Sequence, residues 1–156
     1  MRRLLAKFEK LLFYEKSPKK VALACGVAMY IAFSPFIGLH TLMLFVAGWL
    51  LKLNIPLLVT VSYIVNNPWS MIPIFAAGYG VGYVILHTWL GFPVLDANPW
   101  WMRGVNEYLQ YYLNLPDVSF WAFMLGANLL GVILGIITYF VAHSLALKVY
   151  ALQRNS

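Results

Sequence analysis

Three long stretches of this 156-residue chain carry no Asp, Glu, Lys or Arg: 21–51, 53–95 and 118–147, of 31, 43 and 30 residues. A helix needs about 20 apolar residues to span hydrocarbon, so each stretch is long enough to cross. The whole chain is 62% apolar and 10% charged, against roughly 45–50% and about 25% in soluble domains. That balance excludes disorder, which needs low hydrophobicity and high charge. A single cysteine excludes a disulfide scaffold. Too few polar side chains exist to cover the surface of an ordinary soluble enzyme. The expected class is an all-α integral membrane protein with one transmembrane domain over 17–147.

Two of the stretches are interrupted. The first breaks at Ser34-Pro35-Phe36-Ile37-Gly38, where proline removes a helix donor and clashes with the preceding turn. The flanking pieces, 21–33 and 39–51, are each about 20 Å long as helices, short of the ~30 Å hydrocarbon core. They suit a re-entrant hairpin at least as well as one kinked helix. The second stretch breaks at Asn66-Asn67-Pro68, and Pro73 is read as a further backbone break. Asparagine amides at membrane depth are costly without partners. Unwound backbone is tolerated there only inside protein or beside a cavity. The breaks around 34–38 and 66–68 therefore point to a polar centre within a short helical bundle. The third stretch reads as one C-terminal span over 120–145.

Small residues recur at every fourth position: Ala24, Ala28 and Ala32; Gly78 and Gly82; Ala127, Gly131 and Gly135. Such faces let helices approach closely in lipid, and internal packing explains them better than a dimer interface.

Charge sets orientation. The net charge is +6, and seven of the eleven basic residues lie in the first twenty. The base stops where the apolar block begins, which is a cytoplasmic membrane flank rather than a nucleic-acid surface. Residues 1–16 read as a basic amphipathic surface helix, with Leu4, Leu5, Phe8, Leu11 and Leu12 on one face. It would lie on anionic lipid head groups or dock on the protein's own cytoplasmic side. Ser17-Pro18 is a helix start. Lys148 and Arg154 make 148–156 a short basic tail, so both termini are expected in the cytoplasm. Lys52 fits that side if 21–51 is re-entrant; the alternative is three simple spans with the C-terminus outside. The loop 96–117, with Trp100, Trp101, Val105, Tyr108, Tyr111 and Tyr112, reads as an interfacial aromatic helix outside, or as a ligand-stacking platform.

Chemistry is sparse. His40, His87 and His143 stand far apart, with no cysteine or acidic neighbour at metal-ligand spacing, so no metal or cofactor is expected. No carboxylate lies in the uncharged stretches, and no nucleophile–base pair can be named, so the chain is not expected to be an enzyme. His40 is the one ionisable residue beside unwound backbone. It is either a functional group or a neutral imidazole bonded to a freed carbonyl. His87 reads as interfacial. Ser62, Tyr63 and Asn128 read as inter-helix hydrogen bonders. The candidate substrate-binding residues are His40, Thr41, Asn54, Asn66 and Asn67, around backbone breaks at Pro35, Gly38, Pro68 and Pro73.

Three ordered motifs carry a resemblance. Pro35, Gly38 and His40 form P-x-x-G-x-H; Asn54 and Pro56 form N-x-P; Asn67, Pro68, Ser70 and Pro73 form N-P-x-S-x-x-P. In order and spacing they resemble the bacterial membrane family called domain of unknown function 2062, over about residues 17–90 and more loosely beyond. Ser70 stands where threonine is common. The resemblance implies a multi-pass protein of the bacterial inner membrane. Some members are joined to glycosyltransferase-like domains, which implies an envelope-biosynthesis context and a partner of that kind. The expected function is a translocator or permease for a small or lipid-linked envelope substrate, bound at the broken helices as in broken-helix transporters. One chain is small for a transport path, so a homo-oligomer is expected. The alternative is a non-catalytic membrane scaffold or assembly partner of an envelope-biosynthesis protein.

Overall fold

A computed structural model describes residues 17–36, 38–92, 98–114 and 116–154. Among the described residues there are six α-helices and no strand: α1 Pro18–Phe33, α2 His40–Leu50, α3 Ile55–Val65, α4 Pro68–Tyr83, α5 Met102–Leu113 and α6 Phe120–Arg154. The expected amphipathic helix at 1–16 lies outside the described residues.

Each boundary has a local cause. Pro18 opens α1, and the Ser17 carbonyl accepts from the Lys20 and Val21 amides at 3.0 and 3.1 Å, although the Ser17 side chain makes no capping bond. The residue before a proline avoids helical backbone, and Ser34, before Pro35, is extended and ends α1. Gly38 supplies the left-handed backbone of the following turn, at φ 85°. α2 ends in a Schellman motif: the Leu53 amide donates to Gly48 O at 2.9 Å and the Lys52 amide to Trp49 O at 3.4 Å. Lys52 takes the left-handed position, at φ 51°. Asn54 then caps α3, its Oδ1 accepting from the Leu57 amide at 3.1 Å.

The path reverses twice. Lys20 Nζ donates to Lys52 O at 3.5 Å, so α2 returns to the end where α1 began. Thr41 Oγ1 lies 3.1 Å from Tyr63 OH, so α3 runs back along α2. The tip of the α1–α2 hairpin is therefore the Pro35–Gly38 break. The second break is different. α3 and α4 run in the same direction, so Asn66-Asn67 interrupts one long helical path rather than forming a hairpin. Pro73 is not a break: α4 passes through it. The lost amide would have met Trp69 O in the first turn, and that turn is held instead by the cap at Asn67. Beyond Tyr83 the helix continues into one π-turn, Val84–Trp89. There His87 Nδ1 donates to Phe92 O, and Nε2 is buried without a partner.

α6 is the spine. Its 35 residues continue through Lys148, so most of the basic tail is helical; at 1.5 Å per residue it is about 52 Å long. α1 and α4 both pack antiparallel to it, on successive lengths. A Cβ on Gly26 would meet Gly135 O at 2.8 Å, and one on Gly131 would meet Phe33 Cβ at 3.2 Å. Further along, a Cβ on Gly82 would collide with Ala122 O, and one on Gly126 with Gly78 O. The small faces are thus internal packing surfaces. Tyr30 OH donates to Asn128 Oδ1 at 3.0 Å and ties the end of α1 to α6.

α5 is clamped to the start of α6 by two asparagines. The Val118 amide donates to Asn106 Oδ1 at 3.1 Å and the Phe120 amide to Asn98 Oδ1 at 2.8 Å. Trp100, Tyr108, Tyr111 and Tyr112 remain exposed around it.

The core is made of small and branched residues, including Ala24, Ala28, Ile31, Leu44, Leu57 and Leu58. The large side chains are outside: Trp69 is 91% exposed, Ile72 77% and Trp49 76%. Two helical segments, Pro68–Trp89 and Phe120–Leu152, are long and apolar enough to cross a membrane.

Candidate functional site

The antiparallel α2–α3 pair brings the two breaks together. Reflection about the turn at 51–54 sets residues 40 and 41 opposite 64 and 65. A cleft of about 240 Å³ opens there, lined by Gly38, His40, Thr41, Ser62, Tyr63, Asn66 and Met71. The end of α1 that leads into the first break rests against Asn128 and Gly131 of α6. Those two lie about 12 and 16 Å from the start of that helix, counting 1.5 Å per residue.

The cleft is built from partly satisfied polar groups. His40 Nε2 is 3.0 Å from Ser34 O. A carbonyl only accepts, so Nε2 carries the hydrogen, and in the neutral ring Nδ1 keeps its lone pair. The bond to a freed carbonyl is the one expected of a histidine beside a break, and the same ring lines the cleft. Thr41 and Tyr63 share one hydrogen bond, which leaves one of the two hydroxyl hydrogens over. The Asn66 amide donates to Ser62 O at 2.7 Å. Asn66 Oδ1 is buried and has no hydrogen-bond partner. Leaving such an acceptor unpaired costs about 1–3 kcal/mol.

Asn67 stands next to Asn66 and does something else. Its Oδ1 accepts from the Trp69 and Ser70 amides at 3.0 and 3.1 Å, and its Nδ2 donates to Ile64 O at 3.1 Å. The Ser70 hydroxyl accepts from the Asn67 amide at 3.1 Å and donates to Val65 O. This is a complete capping box, with Pro68 at the first helical position. Asn67 is committed to starting α4. Asn54 is at the opposite end of the hairpin, capping α3. Of the sequence candidates, His40, Thr41 and Asn66 converge with Gly38; Asn67, Pro35 and Pro68 shape the breaks; Asn54 and Pro73 lie elsewhere.

Ser62, Tyr63 and Met71 belong to the cleft but were not expected as site residues. The 62/66 spacing of one helical turn, taken with the reflection about 51–54, is the signal that finds them. Larger grooves of about 440 Å³ run between α1 and α6 and between α1 and α2, lined by aliphatic and aromatic carbon. Among the described residues no three His, Cys, Asp or Glu cluster as a metal site would need.

The chain matches, over residues 1–155, the family described as an uncharacterised protein conserved in bacteria, domain of unknown function 2062, and belongs to it. No curated protein and no solved structure matches the chain.

Proposed function

We propose that this member of the family is a small multi-pass protein of the bacterial inner membrane that binds, and carries across, a small or lipid-linked polar substrate at the cleft between its two breaks. Large exposed apolar side chains, with alanine and glycine at the helix contacts, support the membrane setting, because tight small-residue contacts drive helix association in lipid. In the proposed topology the α1–α2 hairpin dips in from the cytoplasm and returns at Lys52. The broken α3–α4 path crosses outward, the aromatic α5 lies at the outer interface, and α6 returns. Both termini are then cytoplasmic, in keeping with the positive flanks. The role is non-enzymatic.

One observation carries the binding reading. Asn66 Oδ1 is buried and unpaired, on a residue that lines a cleft between the tip of the α1–α2 hairpin and the interruption of the α3–α4 path. Native polar groups at such depth are normally satisfied, and broken helices near the middle of a bundle are where transporters place their sites.

Native mass spectrometry of gently purified protein tests this. A defined small molecule or lipid is expected to stay bound to wild type and to be lost from folded His40→Ala and Asn66→Leu. Bulk lipid alone, unchanged in both variants, would overturn it. It would leave the breaks as architecture and favour a scaffold that assembles with an envelope-biosynthesis partner.

A further inference from the structure

We infer that the cleft takes an uncharged, hydroxyl-bearing group, a polyol or a single sugar ring, and not a phosphate or an ammonium. The inference rests on the reading of the cleft as a binding site and names its ligand chemistry.

Donors, acceptors and charge in the cleft select the ligand. The lining residues bring no Lys, Arg, Asp or Glu. With the His40 ring neutral, an ion placed there would lose its hydration with no opposite charge to replace it, which is the costly case for burial. Asn66 brings both an acceptor with nothing to accept, Oδ1, and the two amide hydrogens of Nδ2, so the cleft asks for a group that donates as well as accepts. A fully ionised phosphate has only acceptors and cannot give Oδ1 a hydrogen. An ammonium could, but it brings a charge that no carboxylate in the cleft balances. A hydroxyl gives one hydrogen to Asn66 Oδ1 and also accepts. The Thr41–Tyr63 pair has one hydroxyl hydrogen left to donate back. Alternating donor and acceptor groups on neighbouring carbons fit this set without any net charge.

Size and shape agree. About 240 Å³ is below the roughly 300–1,000 Å³ of pockets for drug-sized ligands, so there is room for one ring or a short polyol. The Tyr63 ring, 57% exposed, presents a flat apolar face beside its polar tip, which suits the carbon face of such a ring. The hydroxyls could belong to a lipid head group or to a free molecule; their chemistry at the cleft is the same.

Matched probes separate these cases. Radiolabelled octyl glucoside, octylammonium and octyl phosphate share one tail, and methyl glucoside has none. Each is titrated onto full-length protein in phosphatidylcholine nanodiscs, with Asn66→Leu protein measuring simple partition into lipid. Octyl glucoside is expected to bind wild type about tenfold or more tighter than either charged probe. Asn66→Asp is expected to shift the preference toward octylammonium by about tenfold. Thr41→Val, which changes one exposed hydroxyl, is expected to weaken glucoside binding if the Asp variant does not fold. Equal binding of methyl glucoside supports a free polyol, and its failure beside octyl glucoside supports a lipid head group. Octyl phosphate or octylammonium binding as tightly, in an Asn66-dependent way, overturns the ligand class and leaves the binding site standing. No Asn66-dependent binding of any probe overturns both.

Discussion

Two adjacent asparagines, alike in sequence, have opposite physical roles. Asn67 spends its side chain on three backbone groups, whereas Asn66 Oδ1 spends nothing. Asn67→Ala should therefore lower stability by about 1–2 kcal/mol, the usual loss of a helix cap. Asn66→Leu removes an unpaired buried acceptor and keeps the same branched shape and number of side-chain heavy atoms, so it should keep stability or raise it by up to about 1 kcal/mol while abolishing ligand retention. Thermal unfolding of the detergent-solubilised variants, read by size-exclusion profile, separates the two. Sequence alone marked both residues as polar groups at depth. It could not divide them, because the division depends on which amide faces the first turn of α4 and which faces across to α2.

Among the elements, the glycines of the α4–α6 pair differ as sharply. Gly82 and Gly126 stand where backbone meets backbone, and a methyl at either collides with the opposite helix. Gly80, two residues from Gly82, has nothing within 4 Å. Gly82→Ala should cost about 3 kcal/mol or more, because the helices must separate. Gly80→Ala should be neutral or gain about 0.5–1 kcal/mol from helix propensity. Lys52→Gly should gain about 1 kcal/mol by relieving the left-handed backbone. The interruptions at Pro35 and Asn66-Asn67 were legible because proline chemistry and helix length agree there. Pro73 misled, since α4 runs on through it although the ring forfeits the bond to Trp69 O. The turn at 51–54 was hidden, because a lysine holds the position where glycine is the usual marker. Without that turn the convergence of His40 with Asn66 cannot be derived.

For the whole molecule, the proposed topology makes a simple labelling pattern. In a Cys25→Ala background, Lys52→Cys and Lys148→Cys should resist an impermeant maleimide in intact spheroplasts and react after lysis, while Trp100→Cys should react at once. Reaction of Lys52→Cys from outside would mean that the α1–α2 hairpin crosses instead of returning. The helical class and the long apolar C-terminal helix were legible from uncharged length and composition. The placement of α1 and α4 on successive lengths of α6 was not, because spacing shows that a face is small but not which face it meets.

That placement also sets a timetable for synthesis. α6 is the surface on which both α1 and α4 rest, and it leaves the ribosome last of the six. Gly26 waits for Gly135, and at roughly 5–20 residues per second the interval is roughly 5–20 s. Through that interval the earlier helices are already made but have no partner for their glycine and alanine faces. The nascent chain thus carries these faces uncovered until its final quarter arrives. A stop codon after residue 119 should yield a product that is synthesised at the normal rate and then cleared, and a pulse–chase comparison with the full chain would show its short half-life.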